Sequence, residues 1–149
     1  MILFLDFDGV LHPEPCYDQE KLFCHLPKLE KVLIDFPQVR IVISSTWRET
    51  RSIDTLRDFF CVEIRHRIIG VTPSWRDYPE LMDRIGFQRH VEIEAWLRNS
   101  GEPWAPWLAI DDKPYLFRPF LPTLIKTESG VGFDESAEMK LRTLLAASQ

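Results

Sequence analysis

The chain has 149 residues, 45% of them hydrophobic and 28% charged, and carries a formal net charge of −5; this length suits one core, and the balance excludes a disordered chain and non-specific nucleic-acid binding by the molecule as a whole. No apolar run approaches the roughly 20 residues of a spanning helix, and no basic stretch precedes the short apolar N-terminus, so the expectation is a cytoplasmic protein of one domain, residues 1–149, without a membrane segment. Cys16, Cys24 and Cys61 are odd in number and lack ligand spacing, which argues against a disulfide framework or a zinc knuckle.

The chain opens on "ILFLDFDGVLH". Ile2 to Leu5 reads as a strand buried on both faces, because its apolar residues run without alternation. A turn rich in Gly and Pro follows, then a helical stretch from about Gln19 to Asp35 that Pro27 divides. "VRIVISS" predicts a second strand and "TWRETRSIDTLRDFF" a helix, with Ile53, Leu56, Phe59 and Phe60 at helical spacing. A third strand is expected between Val62 and Val71, closed by Gly70 and Pro73. "RHVEIEAWLRNS" returns to helix, with Val91, Ile93, Trp96 and Leu97 facing inward. "WLAIDDKPY" repeats the opening design, an apolar strand that ends in two carboxylates, and "TLIKT" supplies a fifth strand. Asp134 caps a last helix whose apolar positions are Ala137, Met139, Leu141, Leu144 and Leu145. Strands alternating with crossovers predict an α/β fold: a mainly parallel sheet of about five strands with helices on both faces, a Rossmann-like three-layer α/β/α sandwich.

In such sheets ligands gather beyond the carboxyl ends of the strands. Here those ends bring Asp6 and Asp8, the hydroxyls of Ser44, Ser45 and Thr46, and the pair Asp111 and Asp112. Carboxylates so clustered repel one another unless a cation lies among them, and an oxygen-only donor set favours magnesium. A single Asp after a strand often does no more than start a turn. Two separate pairs behind two buried strands are harder to explain that way. Ten of the basic residues fall between Arg40 and Arg98, all of them Arg, so an anion is best held by the middle of the chain.

"DFDGV", the hydroxyls after "VRIVI", a basic residue before a later strand and "DD" together resemble the four motifs of the haloacid dehalogenase-like superfamily of phosphohydrolases. "ISSTWRE", "RHVEIEAWL" and "LAIDD" are similar to the small domains of the type found in Swiss Army Knife RNA repair proteins. The resemblance implies a magnesium-dependent phosphatase acting through an aspartyl-phosphate. Asp6 would be the nucleophile and a metal ligand, and Asp8 the acid and base, with its backbone carbonyl on the metal. Asp111 and Asp112 would complete the metal site, Gly9 would let the chain turn near the phosphate, and Ser45, preferred over Ser44, would hold a phosphoryl oxygen. The superfamily usually places a Lys in its third motif; this chain has none there, and Arg89 stands in its place, ahead of Arg84 and Arg98.

Superfamily members choose substrates through cap insertions, and the two candidate excursions here, 36 residues between Asp8 and Ser45 and 17 between Val71 and Arg89, leave room for a minimal cap or none. An open site implies large phosphorylated substrates such as RNA or DNA ends, or a protein partner that covers the site. Thr46, Trp47 and Arg48, with Trp75 and Arg76, are the candidate substrate contacts, the aromatic rings being suited to stacking on a base. Trp47 reads first as core, and His12 and His25 as structural. The rival readings are a small-metabolite phosphatase and a phosphate-sensing interaction module with vestigial catalysis.

Overall fold

The computed structural model describes every residue from Met1 to Gln149. Five strands, β1 (Ile2–Leu5), β2 (Arg40–Ile43), β3 (Ile68–Val71), β4 (Trp107–Asp111) and β5 (Leu124–Lys126), form one sheet in the order β3-β2-β1-β4-β5, parallel throughout. Its helices are α1 (Leu26–Asp35), α2 (Ile53–Arg57), α3 (Val62–Arg65), α4 (Pro79–Ile85), α5 (Gln88–Asn99) and α6 (Glu135–Ala147). This is the expected three-layer α/β/α arrangement. No helix is long and apolar enough to cross a membrane.

β1 lies at the centre because its four residues are apolar on both sides. Leu3 and Leu5 pack with Ile41, Ile43, Leu29, Leu33, Leu141 and Leu145, which seats α1 and α6 on one face. Ile2 and Phe4 pack with Val42, Ala109, Ile93 and Leu97, which seats α5 on the other. The register is in step across the three central strands, with Leu5 opposite Ile43 on one side and Ile110 on the other. It continues one residue further: Asp6 N donates to Ile110 O at 3.1 Å, Ser44 N to Leu5 O at 2.8 Å and Thr72 N to Ile43 O at 3.0 Å. Thr72, Ser44, Asp6 and Asp111 therefore form a row along the carboxyl edge of the sheet. The chain adds β2 and β3 on one side of β1 and then returns to add β4 and β5 on the other, so the order of connection reverses there, which is where such sheets form a crevice.

Several expectations are corrected in detail. Pro27 sits in the first turn of α1, where its missing N–H costs nothing, and Gln19–Lys21 is a separate single turn capped by Asp18. Val62 to Arg65 is a helical turn with Val62 71% exposed, so the third strand starts only at Ile68. α4 was hidden in the stretch between β3 and α5; its signals are Pro79 in its first turn and Gly86, at φ +80, closing it. Met139 is 71% exposed, and the inner face of α6 is carried by Ala137, Leu141 and Leu145. Asp134 does cap α6, accepting from Ala137 N at 2.9 Å.

Arg67, just before β3, is buried without a carboxylate partner. Its guanidinium donates to Leu33 O (2.7 Å), Phe36 O (2.8 Å) and Val39 O (2.9 Å), carbonyls at and beyond the end of α1, of which the first two also accept from Phe36 N and Val39 N. Arg67→Met removes three charge-assisted hydrogen bonds and leaves Val39 O unmatched, and should lower the free energy of unfolding by about 2–4 kcal/mol in urea titration. Arg67→Lys should recover little, because one ammonium cannot reproduce the planar fork. A loss below about 0.5 kcal/mol for both variants, the range of ordinary surface substitutions, would contradict this role.

Candidate active site

Alternation along β1 and β4 sends Asp6 and Asp111 to the face that Phe4 and Ala109 occupy, beneath the start of α5. Arg89, in the first turn of α5 and 8% exposed, lies over them. Its Nη2 is 3.9 Å from Asp6 Oδ1, its Nε 3.6 Å from Asp111 Oδ2 and its Nη1 3.4 Å from Glu92 Oε1. These are loose contacts for a guanidinium, and they leave it donors for an incoming anion.

Asp6, Asp111 and Asp112 are all buried and offer carboxylate oxygens within 4.8 Å of one another. Burial, with Asp111 beside it, pushes Asp6 well above the ordinary carboxylate range, and Arg89 offsets only part of that. Burial likewise raises Asp111 to about 7 against the pull of Arg89 and the Lys113 amide. Asp112 behaves differently: against the cost of burial, hydrogen bonds from Ser129 Oγ (2.6 Å) and Lys113 Nζ (3.0 Å) to Oδ2 keep it below its usual value. Its other oxygen, Oδ1, is buried with no hydrogen-bond partner. Two carboxylates that resist ionisation and an orphaned anionic oxygen are what a hard divalent cation would satisfy, so the donor set fits such an ion. Gly9, at φ +75, permits this approach, since a Cβ there would collide with the Asp112 carboxylate, and Thr127 Oγ1 fixes the turn by donating to Gly9 O at 2.7 Å.

Asp8 lies outside that cluster. Its side chain, 35% exposed, accepts from His12 Nε2 at 2.8 Å and from Trp47 Nε1 at 3.1 Å to each oxygen. The hydrogen bond from His12 holds it below the ordinary range, with that from Trp47 adding to the effect against partial burial. Two aspartates two residues apart thus meet opposite environments.

The register separates Ser45, the expected phosphate ligand, from Ser44. Ser45 Oγ accepts from Trp47 N at 3.3 Å and caps the turn Thr46–Glu49, whereas Ser44 stands in the row beside Asp6 with a buried, unpartnered hydroxyl. Trp47 is corrected too. Its indole N–H is taken by Asp8, and its ring packs against Phe23, Phe7 and Phe59 with Arg51 over it at 4.1 Å, so no face is open for a base. Arg48 is a brace: it donates to Thr72 O (2.7 Å), Ser45 O (2.8 Å), Pro73 O (3.3 Å) and Glu92 Oε2 (2.7 Å), tying the ends of β2 and β3 to α5. Thr46 is exposed at the cleft wall. His25 lies elsewhere, on Val131 O.

The cleft above these groups measures about 330 Å³ and is lined mainly by polar residues, among them Asp6, Asp8, Arg89, Lys113 and Arg76, with Trp75 as an aromatic wall. Arg76 stacks 4.8 Å over the Trp75 ring, and Trp75 N donates to Glu92 Oε2 at 3.0 Å. Glu92, which orients both Arg48 and Arg89, was missed in the sequence; its signal is its place three residues after Arg89, on the same helix face. Lys113, which bridges Asp112 and Glu14 (2.7 Å), was missed as well and has only its adjacency to Asp112 to mark it.

No curated protein and no solved structure matches this chain. A family model does, over residues 2–137, with the description "HAD domain in Swiss Army Knife RNA repair proteins". The matched range spans both aspartate pairs, the hydroxyls after β2 and Arg89. The chain belongs to this family of HAD domains.

Proposed function

We propose that the chain is a magnesium-dependent phosphomonoester hydrolase that works through an aspartyl-phosphate on Asp6. Membership of the HAD family suggests phosphatase-type chemistry. The observation that carries the finer reading is the division of labour between the aspartates: Asp6 shares a buried carboxylate cluster under Arg89, while Asp8 stands apart with its own donors. Asp6, Asp111 and Asp112 would hold the ion, which when bound neutralises charge on the phosphoryl oxygens and lets Asp6 stay ionised.

The chain's own groups then account for the reaction. Arg89 binds phosphoryl oxygens from the α5 side, and Ser44 offers its free hydroxyl from the next strand. An Asp6 oxygen attacks phosphorus as the bond to the leaving oxygen breaks, and that oxygen takes a proton from Asp8. Asp8, now a carboxylate, takes a proton from water as the water attacks the aspartyl-phosphate, releasing inorganic phosphate and restoring Asp6. The excursion after β1 carries only one short turn and α1, and that after β3 only one short turn and α4, so the cleft is open on its outer side. Together with the family's description, this favours a phosphate on an RNA end, with Trp75 and Arg76 as the aromatic and cationic wall beside it. A small phosphate ester is the second reading, favoured by the modest volume of the cleft, about 330 Å³.

Asp6→Asn should lower hydrolysis of a phosphorylated oligoribonucleotide or an aryl phosphate by at least about 10³-fold, since loss of a nucleophile removes the covalent route altogether. Undiminished turnover in that variant would overturn the assignment. A panel of oligoribonucleotides phosphorylated at either end, set against sugar phosphates, separates the two substrate readings. If every compound is untouched, the phosphatase reading fails.

The raised aspartates also set a pH dependence. Between the ordinary carboxylate value near 4 and about 7, folded Asp111 keeps a proton that the unfolded chain has lost, and Asp6 is shifted in the same direction, so the metal-free protein should lose stability as pH rises through that window. Magnesium should restore stability, and by more at pH 8 than at pH 5, because the ion competes with those protons. Thermal unfolding with and without magnesium checks both statements; an increment independent of pH would contradict them.

A further inference from the structure

We infer that His12 and Trp47, backed by Phe23, are positioning residues that present one oxygen of Asp8 to the leaving group. The inference rests on the phosphatase reading above and goes beyond it in saying what orients the acid. Two N–H donors from separate segments converge on one carboxylate: His12, 1% exposed, from the turn after β1, and Trp47 from the turn after β2. Packing alone requires neither bond.

His12 has a defined tautomer. Its Nδ1 accepts the backbone N–H of Phe23 at 3.4 Å, so the ring proton is on Nε2 and is donated to Asp8. Phe23 makes that contact from φ +58, a left-handed backbone that an aromatic residue adopts only when its surroundings hold it there. What holds it is the ring, packed 4.6 Å from Phe59, 5.3 Å from Trp47 and 5.3 Å from His12. A strained residue thus locks both donors at once, and strain of this kind concentrates at functional sites.

The pattern on the carboxylate is asymmetric. Oδ1 accepts from both His12 and Trp47, whereas Oδ2 has only the shared Trp47 contact. Oδ2 is therefore the less occupied oxygen and the one presented to the leaving group, and a proton carried there would leave Oδ1 as the hydrogen-bonded oxygen. When the bond from phosphorus to the leaving oxygen breaks, the Oδ2 proton goes to that oxygen and both donors stabilise the carboxylate left behind.

The test compares wild type with Trp47→Phe, which keeps the ring and removes the N–H, and with His12→Ala and His12→Gln, on a series of phosphate esters running from nitrophenyl to alkyl leaving groups. Asp8 also serves as the base in the second step, so the comparison is made on the first step alone, the single-turnover rate of leaving-group release, where an acid held out of position matters only if the leaving group needs a proton. Trp47→Phe and His12→Ala should lower that rate on alkyl esters by about 10- to 100-fold, part of the 10²–10⁴ that general acid catalysis contributes. On nitrophenyl phosphate the burst of nitrophenolate should stay within about 3-fold of wild type. His12→Gln, whose amide can donate to Asp8, should recover much of the loss. Equal losses across the series overturn this inference and leave the phosphatase reading standing; a wild-type protein inactive on every ester overturns both. A second measurement needs no turnover: nitrogen NMR of the metal-free protein should show His12 protonated at Nε2 and the Trp47 indole N–H shifted when Asp8→Asn is made. An Nδ1–H tautomer, or an unmoved indole, overturns the inference.

Discussion

Three carboxylates lie within 4.8 Å of one another at the ends of two adjacent buried strands, and most of the surrounding structure bears on that repulsion. β1 and β4 must be parallel neighbours in register for Asp6 and Asp111 to meet. α5 must begin above them for Arg89 to supply positive charge, and Gly9 must lack a side chain for Asp112 to close the group. Arg89 carries one charge against three, and Lys113 is drawn off to Asp112 Oδ2 and Glu14. The imbalance remaining at Asp6, Asp111 and Asp112 Oδ1 is a standing demand for a cation, and it is the reason a strand so apolar ends in acid.

Two residues along, the same side chain is given the opposite treatment. Asp6 is dehydrated and crowded by like charge, and its carboxyl is pushed up; Asp8 is half open and receives hydrogen bonds from His12 and Trp47, and its carboxyl is pulled down. In the absence of a metal these directions run opposite to the proposed roles, which therefore require a cation to favour the ionised form of Asp6 and an incoming phosphoryl anion to favour the proton on Asp8. The turn that begins at Asp6 makes the division, sending Phe7 into the core between Phe23, Trp47 and Phe60 while the aspartates on either side face different partners.

Much of this is legible in the sequence. The unbroken apolar runs of β1 and β4 revealed central parallel strands, and the doubled aspartates after them marked the edge where a site would form. The HAD family match runs over residues 2–137, a range that contains them. What was hidden depends on long-range partnership. Ser44 against Ser45 is a matter of register, which a sequence states only to within a residue. Trp47 and Arg48 suggested a ligand by their chemistry, yet one is bonded to Asp8 and the other to three carbonyls and Glu92, partners 39 and 44 residues away in the chain for Asp8 and Glu92. Glu92 and His12 looked like ordinary polar residues because nothing local shows that they are buried. α4 escaped because so short a helix has too few turns to display a period.

The claim on which the rest depends is that Asp6 becomes covalently phosphorylated. Rapid acid quench during turnover of a phosphorylated oligoribonucleotide or aryl phosphate with magnesium, followed by borohydride reduction and peptide mass spectrometry, tests it directly. Reduction of an aspartyl-phosphate yields homoserine, and the account predicts homoserine at position 6 alone, absent without substrate. Phosphate release with Asp6 unmodified, or with the modification at Asp8, Asp111 or Asp112, would contradict it.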